Sequence, residues 1–213
     1  MVETTLPSSE TPARLLRFDR GERTLHWLNA TLFLTLLATG AALYVPAISA
    51  VVARRHLLKT VHVAAGLALP FPLVLTVIAG PWGAAFRADV RRLNRWFVDD
   101  TRWLRSRGRD KRARLGKFNG GQKLNAAFTA GAIPVMLATG AIMAWPRNWP
   151  LAWRTGATFV HDWVFIGLAF TITGHILFAV NDGESLRSMV GGWISTAWAR
   201  RHAPRWYDEE TRR

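Results

Sequence analysis

The chain has 213 residues, half of them apolar, with eleven tryptophans, no cysteine and a formal net charge of +14. The lack of cysteine excludes disulfides, thiolate-held iron–sulfur clusters and thiolate zinc sites within the chain, though not within a partner. The charges are spread so unevenly that a soluble globule is excluded too: four stretches are almost free of them, each long enough for a helix that crosses roughly 30 Å of hydrocarbon with about 20 residues.

In chain order, the first element is a polar segment, residues 1–23, with Arg14, Arg17, Arg20 and Arg23 just before the first apolar stretch. That is not the pattern of a cleavable signal, so none is expected. Thr24–Ala53 is uncharged apart from His26, which predicts a first span over about 25–47. Thr60–Phe86 is uncharged apart from His62, which predicts a second over about 57–81. A basic loop, 87–122, follows. Leu124–Pro146 is uncharged and predicts a third span over about 123–146, and Thr155–Asn181, charged only at Asp162, predicts a fourth over about 157–181. A polar tail, 182–213, ends the chain. The expected fold is all-α: a single membrane domain over 1–213, built as an integral four-helix bundle.

Lysine and arginine set the expected orientation. The N-terminal segment, the segment 87–123 and the tail together hold 23 of these residues, and the other two connections hold 5. By the positive-inside rule both termini and the basic loop are cytoplasmic. Trp27, Trp82, Trp145 and Trp163 fall near span ends, as an interfacial belt requires. The basic loop needs no nucleic acid to explain it, since topology and contact with anionic lipid account for its charge.

The sequence also repeats itself. "LATGAALYVP" at 37–46 is echoed by "LATGAIMAWP" at 137–146, and "VHVAAGLA" at 61–68 more loosely by "VHDWVFIGLA" at 160–169. Spans 1 and 2 thus read as one helical hairpin and spans 3 and 4 as its copy in the same orientation. The proline closing each echo stops its helix near the membrane surface. Gly40, Gly66, Gly140, Gly167 and Gly174 permit close approach of a neighbouring helix or a flat ligand.

Four of the six histidines lie in spans: His26, His62, His161 and His175. His56 and His202 read as surface residues. Fourteen positions at about 100° each fall roughly 40° short of four turns, so His161 and His175 share a face of span 4, about 21 Å apart along its axis. His26 opens span 1 inside and His62 opens span 2 outside, so the only level pairings are His26 with His175 and His62 with His161. Two imidazoles per level, without thiolates or carboxylates, suit axial ligation of two b-type haem irons for electron transfer. Zinc usually takes three or four protein ligands, and Asp162 is the only candidate third. No CxxCH occurs, so attachment would be non-covalent. A haem-free anchor or small transporter, with the histidines serving structure or proton movement, stays open on the residues alone.

With these positions in place, the chain resembles the membrane cytochrome b (gamma) subunit of respiratory formate dehydrogenases. The Arg-rich start, His26, His62 and the pair His161 and His175 carry the likeness, together with "KFNGGQK" at 117–123, which is similar to that family's quinone motif. The histidine pattern is shared with cytochromes b of membrane hydrogenases and thiosulfate reductases, and "KFNGGQK" favours formate. The resemblance implies an inner-membrane electron-transfer and quinone-reducing subunit that does not itself oxidise the substrate. It also implies two partners, an iron–sulfur (beta) subunit and a molybdenum- or tungsten-dependent catalytic (alpha) subunit. Electrons would pass from the periplasmic-side haem (His62, His161) to the cytoplasmic-side haem (His26, His175), and on to menaquinone or ubiquinone. Asn119, Gly121 and Gln122, just before span 3, are the quinone candidates: two amides and glycine-freed N–H groups can donate to its carbonyls. Asn119 also reads as a helix cap and the glycines as a turn.

Overall fold

The computed structural model describes residues 13–78, 83–110 and 112–212. Trp82 and the end of the expected second span lie outside these residues. A short strand β1 (Arg14–Leu16) leads into α1 (Arg20–Tyr44), a short α2 (Pro46–Val52), and α3 (Arg55–Ala68) continued by α4 (Pro70–Ile78). Then come α5 (Ala84–Leu93), α6 (Val98–Arg105), α7 (Gly120–Ala144) and α8 (Leu151–Asn181), and finally α9 (Gly183–Gly191), β2 (Trp193–Ser195), α10 (Thr196–His202) and α11 (Pro204–Thr211).

Four units are long and apolar enough to cross a membrane: α1, α3 with α4, α7 and α8. They make the chain an all-α membrane bundle. The first and third start earlier than the charge gaps, because polar caps outside the hydrocarbon begin the helices. Asp19 accepts from the Glu22 amide at 2.7 Å while Glu22 accepts from the Asp19 amide at 2.8 Å, a reciprocal box that satisfies two otherwise orphaned donors. α1 ends at Tyr44, just before Pro46. The second span is interrupted at Leu69, where Pro70 and Pro72 remove two backbone donors.

α1 packs chiefly on α3 and α7 on α8, so the two sequence repeats are two helical hairpins, joined where α3 meets α7 and α1 meets α8. Four spans bring the first and last described segments to one side, where β1 pairs with β2, here the terminal face; the other is the far face. Phe71, Ile78, Phe170 and Phe178 point outward, each at least 70% exposed. Rings and branched chains so placed are favourable only against lipid or a partner.

The terminal face is covered by a compact polar cap. β1 and β2 pair antiparallel with Leu15 opposite Ile194, and these pack with Trp198, Ala199, Ala203 and Trp206 into a small core. The segment 87–122, expected as a basic loop, holds most of α5 and all of α6, and several of its charges are paired. Arg92 bridges to Glu210 at 3.1 Å, and Asp99 of α6 to Arg205 at 2.9 Å, tying the segment to the tail. Arg17 is buried with its guanidinium 4.5 Å from the Trp198 ring and 2.6 Å from the Ser185 hydroxyl, and burial lowers its pKa to about 10.

Candidate cofactor sites

Three helices, α1, α3 and α8, deliver the four span histidines to two levels. His62 of α3 and His161 of α8 face each other near the far face, ring centres 6.3 Å apart and planes at 65°. His26 of α1 and His175 of α8 do so near the terminal face, at 6.2 Å and 57°. Because α8 is one unbroken helix, its two histidines stand about 21 Å apart along the axis. His56 is exposed at the start of α3, and His202 stacks on Trp198 in the tail at 4.8 Å; neither joins a pair. Among the described residues no group of three or more His, Asp or Glu is arranged to hold a bare metal ion, so Asp162 completes no zinc-like site.

The spacing fits a six-coordinate haem iron. Two metal–imidazole bonds of about 2 Å, plus the offset from each nitrogen to its ring centre, sum to roughly 6 Å. The far-face pair is held by groups that the histidine pattern alone did not reveal. Thr39 Oγ1 lies 2.9 Å from His62 Nδ1, and Thr139 Oγ1 lies 2.9 Å from His161 Nδ1. Each threonine therefore occupies one nitrogen and leaves Nε2 as the free ligand atom. The glycine that follows each threonine clears space beside the ring. A Cβ built on Gly40 would sit 3.4 Å from His62 Cε1, and one on Gly140 would sit 3.4 Å from His161 Cε1. The terminal-face pair is supported differently: His26 meets Trp27 edge-on at 5.4 Å, and the Trp27 indole donates to the Met189 carbonyl at 2.9 Å. Among the described residues no group hydrogen-bonds the rings of His26 or His175.

"KFNGGQK" lies at the start of α7. Asn119 Oδ1 accepts from the Gln122 amide, and Gln122 Oε1 accepts from the Asn119 amide, each at 2.9 Å. Both side-chain oxygens are thus engaged in a capping box, and the amide NH2 groups remain as donors. α6 crosses directly over this turn: a Cβ on Gly120 would lie 2.7 Å from the Asp100 carbonyl oxygen, and one on Gly121 would lie 2.9 Å from the Trp103 ring. The two glycines are therefore required by packing, whatever else they do. The motif's lysines are buried ion-pair partners, Lys117 with Asp89 at 2.5 Å and Lys123 with Asp100 at 2.6 Å.

The same turn recurs exactly one hundred positions earlier. Phe18, Asp19, Gly21, Glu22 and Arg23 correspond to Phe118, Asn119, Gly121, Gln122 and Lys123, and Thr39 and Gly40 to Thr139 and Gly140. The repeat thus begins at Arg17 and Lys117, well before the echo at 37–46. One copy caps its helix with two acids and the other with the matching amides. The far-face histidines stand 99 positions apart, so they match in the repeat with a shift of one residue, whereas His26 has Ala126 one hundred positions on.

A model for the prokaryotic cytochrome b561 family matches residues 17–192. The chain belongs to that family. It is a membrane cytochrome b of the bacterial inner membrane, and the family implies haem b. The chain is 25% identical to the cytochrome b556(fdo) subunit of formate dehydrogenase from Escherichia coli K12 over 207 residues, covering 92% of each chain. It is 26% identical to the cytochrome b556 subunit of formate dehydrogenase from Haemophilus influenzae over 205 residues, covering 92% of this cytochrome and 84% of the relative. Against the nitrate-inducible cytochrome b556(Fdn) subunit of E. coli K12 the identity is 33% over 102 residues, 46% of this cytochrome and 47% of the relative.

Proposed function

We propose that this cytochrome is the di-haem membrane subunit of a formate dehydrogenase complex, carrying electrons across the inner membrane to quinone. The observation that carries the reading is the pair of facing imidazoles at each of two levels, 6.3 and 6.2 Å apart. Likeness to named formate dehydrogenase subunits over 92% of the chain supports the choice of complex. His62 and His161 would hold one haem b and His26 and His175 the other. Haem b between two imidazoles supplies a one-electron couple suited to transfer rather than to oxygen binding.

The positive-inside rule makes the terminal face cytoplasmic and the far face periplasmic. The iron–sulfur and molybdenum- or tungsten-dependent partner subunits would then deliver electrons at the His62/His161 level. Quinone would collect them at the His26/His175 level, where the amide NH2 groups of Asn119 and Gln122 and the N–H groups near Gly121 are donors for its carbonyls. A hydrogenase or another quinone-linked oxidoreductase would use the same histidines, and the metals of co-purifying subunits separate these choices from formate dehydrogenase.

The test is haem stoichiometry in the purified complex. About two b haems per chain are expected, with His26→Ala or His175→Ala losing one and His62→Ala or His161→Ala losing the other. A His62→Ala protein that keeps both haems would sink the assignment.

A further inference from the structure

The two threonines at the far-face pair carry an inference beyond ligation, resting on the haem reading above. Thr39 Oγ1 lies 2.7 Å from the Thr35 carbonyl oxygen as well as 2.9 Å from His62 Nδ1. Thr139 repeats this, 2.7 Å from the Val135 carbonyl oxygen and 2.9 Å from His161 Nδ1. A hydroxyl has one proton. Two oxygens 2.7 Å apart with no proton between them repel, so each threonine proton must point to its own helix carbonyl. The hydroxyl oxygen is then only an acceptor toward the ring, and the proton in the second bond belongs to histidine Nδ1.

The proton bookkeeping thus fixes one tautomer at both far-face histidines: Nδ1 protonated, Nε2 bearing the lone pair. A helix carbonyl, a threonine hydroxyl and an imidazole N–H form a chain in which each bond polarises the next. Donation from Nδ1–H makes the imidazole a stronger electron donor to a metal at Nε2, which favours the ferric over the ferrous state. Nothing comparable holds the terminal-face rings among the described residues. The difference follows from the repeat: Thr39 and Thr139 are counterparts, each on the first helix of its hairpin and serving the histidine on the second.

We propose that Thr39 and Thr139 are positioning residues that set the Nδ1–H tautomer of His62 and His161 and make the haem they hold the lower-potential of the two. An electron shared between the levels then rests on the terminal-face side, so the downhill direction is built in by two hydroxyls and needs no external charge.

The test is a redox titration of the intact complex, following both haems, in Thr39→Val, Thr139→Val and the double variant, with the Thr→Ser variants as controls. Valine keeps the shape and removes the acceptor. Each valine should raise the lower midpoint, changing the ferric-to-ferrous ratio at fixed potential by about tenfold, or about 59 mV for a one-electron couple. The double variant should give roughly twice the single shift. The upper midpoint should not move, and serine should restore the parent value. If valine instead releases the far-face haem, serine must retain it. Unmoved midpoints in the double variant overturn the proposal, as does a shift confined to the haem lost in His26→Ala, or a serine variant that fails to rescue. Retention of both haems in His62→Ala refutes the ligand assignment instead, so the two failures are distinguishable.

Discussion

Lys123 Nζ lies 2.6 Å from an Asp100 carboxylate oxygen, with both side chains no more than 3% exposed. The same ammonium donates to the Arg95 carbonyl at 2.8 Å, and the same carboxylate oxygen accepts from the Phe97 amide at 2.8 Å. The pair binds α6 over the start of α7, where Gly120 and Gly121 admit it. Removing one partner leaves the other charged and buried. Lys123→Met should therefore destabilise the chain by about 3–5 kcal/mol, while the double change with Asp100→Leu should recover most of the loss. Denaturation in detergent, followed by circular dichroism, measures both. A single variant as stable as the parent would show that the pair contributes nothing.

The acid-capped and amide-capped copies of the turn suggest a variant that separates capping from quinone binding. Asp19 and Glu22 form the same reciprocal box as Asn119 and Gln122. Asn119→Asp with Gln122→Glu should keep the box, since carboxylate oxygens accept as amide oxygens do. It removes both NH2 donors. Stability and haem spectra should stay close to the parent, and quinone reduction should fall at least about tenfold, as loss of donors to a buried carbonyl implies. Unchanged turnover would leave these two residues as caps alone.

Gly40 and Gly140 should tolerate alanine but not valine. A Cβ at Gly40 would meet His62 Cε1 and the Phe165 ring, each at 3.4 Å, and one at Gly140 would meet His161 Cε1 at 3.4 Å, all ordinary contact distances. Branching would drive atoms into the ring and off the threonine, and overpacking of this kind typically costs about 1–3 kcal/mol. Gly140→Val should lose or shift the far-face haem and leave the terminal-face haem intact. Haem content and the two spectral components of the variant check this; equal disturbance of both haems would contradict it.

Much of this architecture was legible in the sequence because membrane physics writes it coarsely. Uncharged runs marked the spans, and a fourteen-residue interval on one helix placed His161 and His175 on a common face. Thr39 and Thr139 stood inside the quoted echo, but their role was hidden. A contact between residues 23 apart, on two helices, depends on how the hairpin closes. The signal that was available was the joint spacing, threonine and glycine followed 22 or 23 residues later by histidine in both copies. The hundred-residue match of "FDRGER" to "FNGGQK" was equally visible, and replacement of acids by amides disguised it. Pairing of Lys117 and Lys123 with Asp89 and Asp100 could not be read, because α5 and α6 fold back from within a segment whose net charge looks solvent-facing.

The proposed direction of electron transfer is testable through the two levels. His62 and His161 lie near the face where a periplasmic partner would deliver electrons, and His26 and His175 lie toward the face that carries Asn119 and Gln122. With formate and the complete complex, His62→Ala should leave both the remaining haem and quinone oxidised, because the entry level is gone. His26→Ala should leave the far-face haem reducible at close to the parent rate while quinone reduction stops, a loss of at least about a hundredfold, at the upper end for disruption of a metal site. Stopped-flow spectra of the two variants resolve the order of events. Quinone reduction that survives the loss of His26 would place the exit elsewhere and overturn the path.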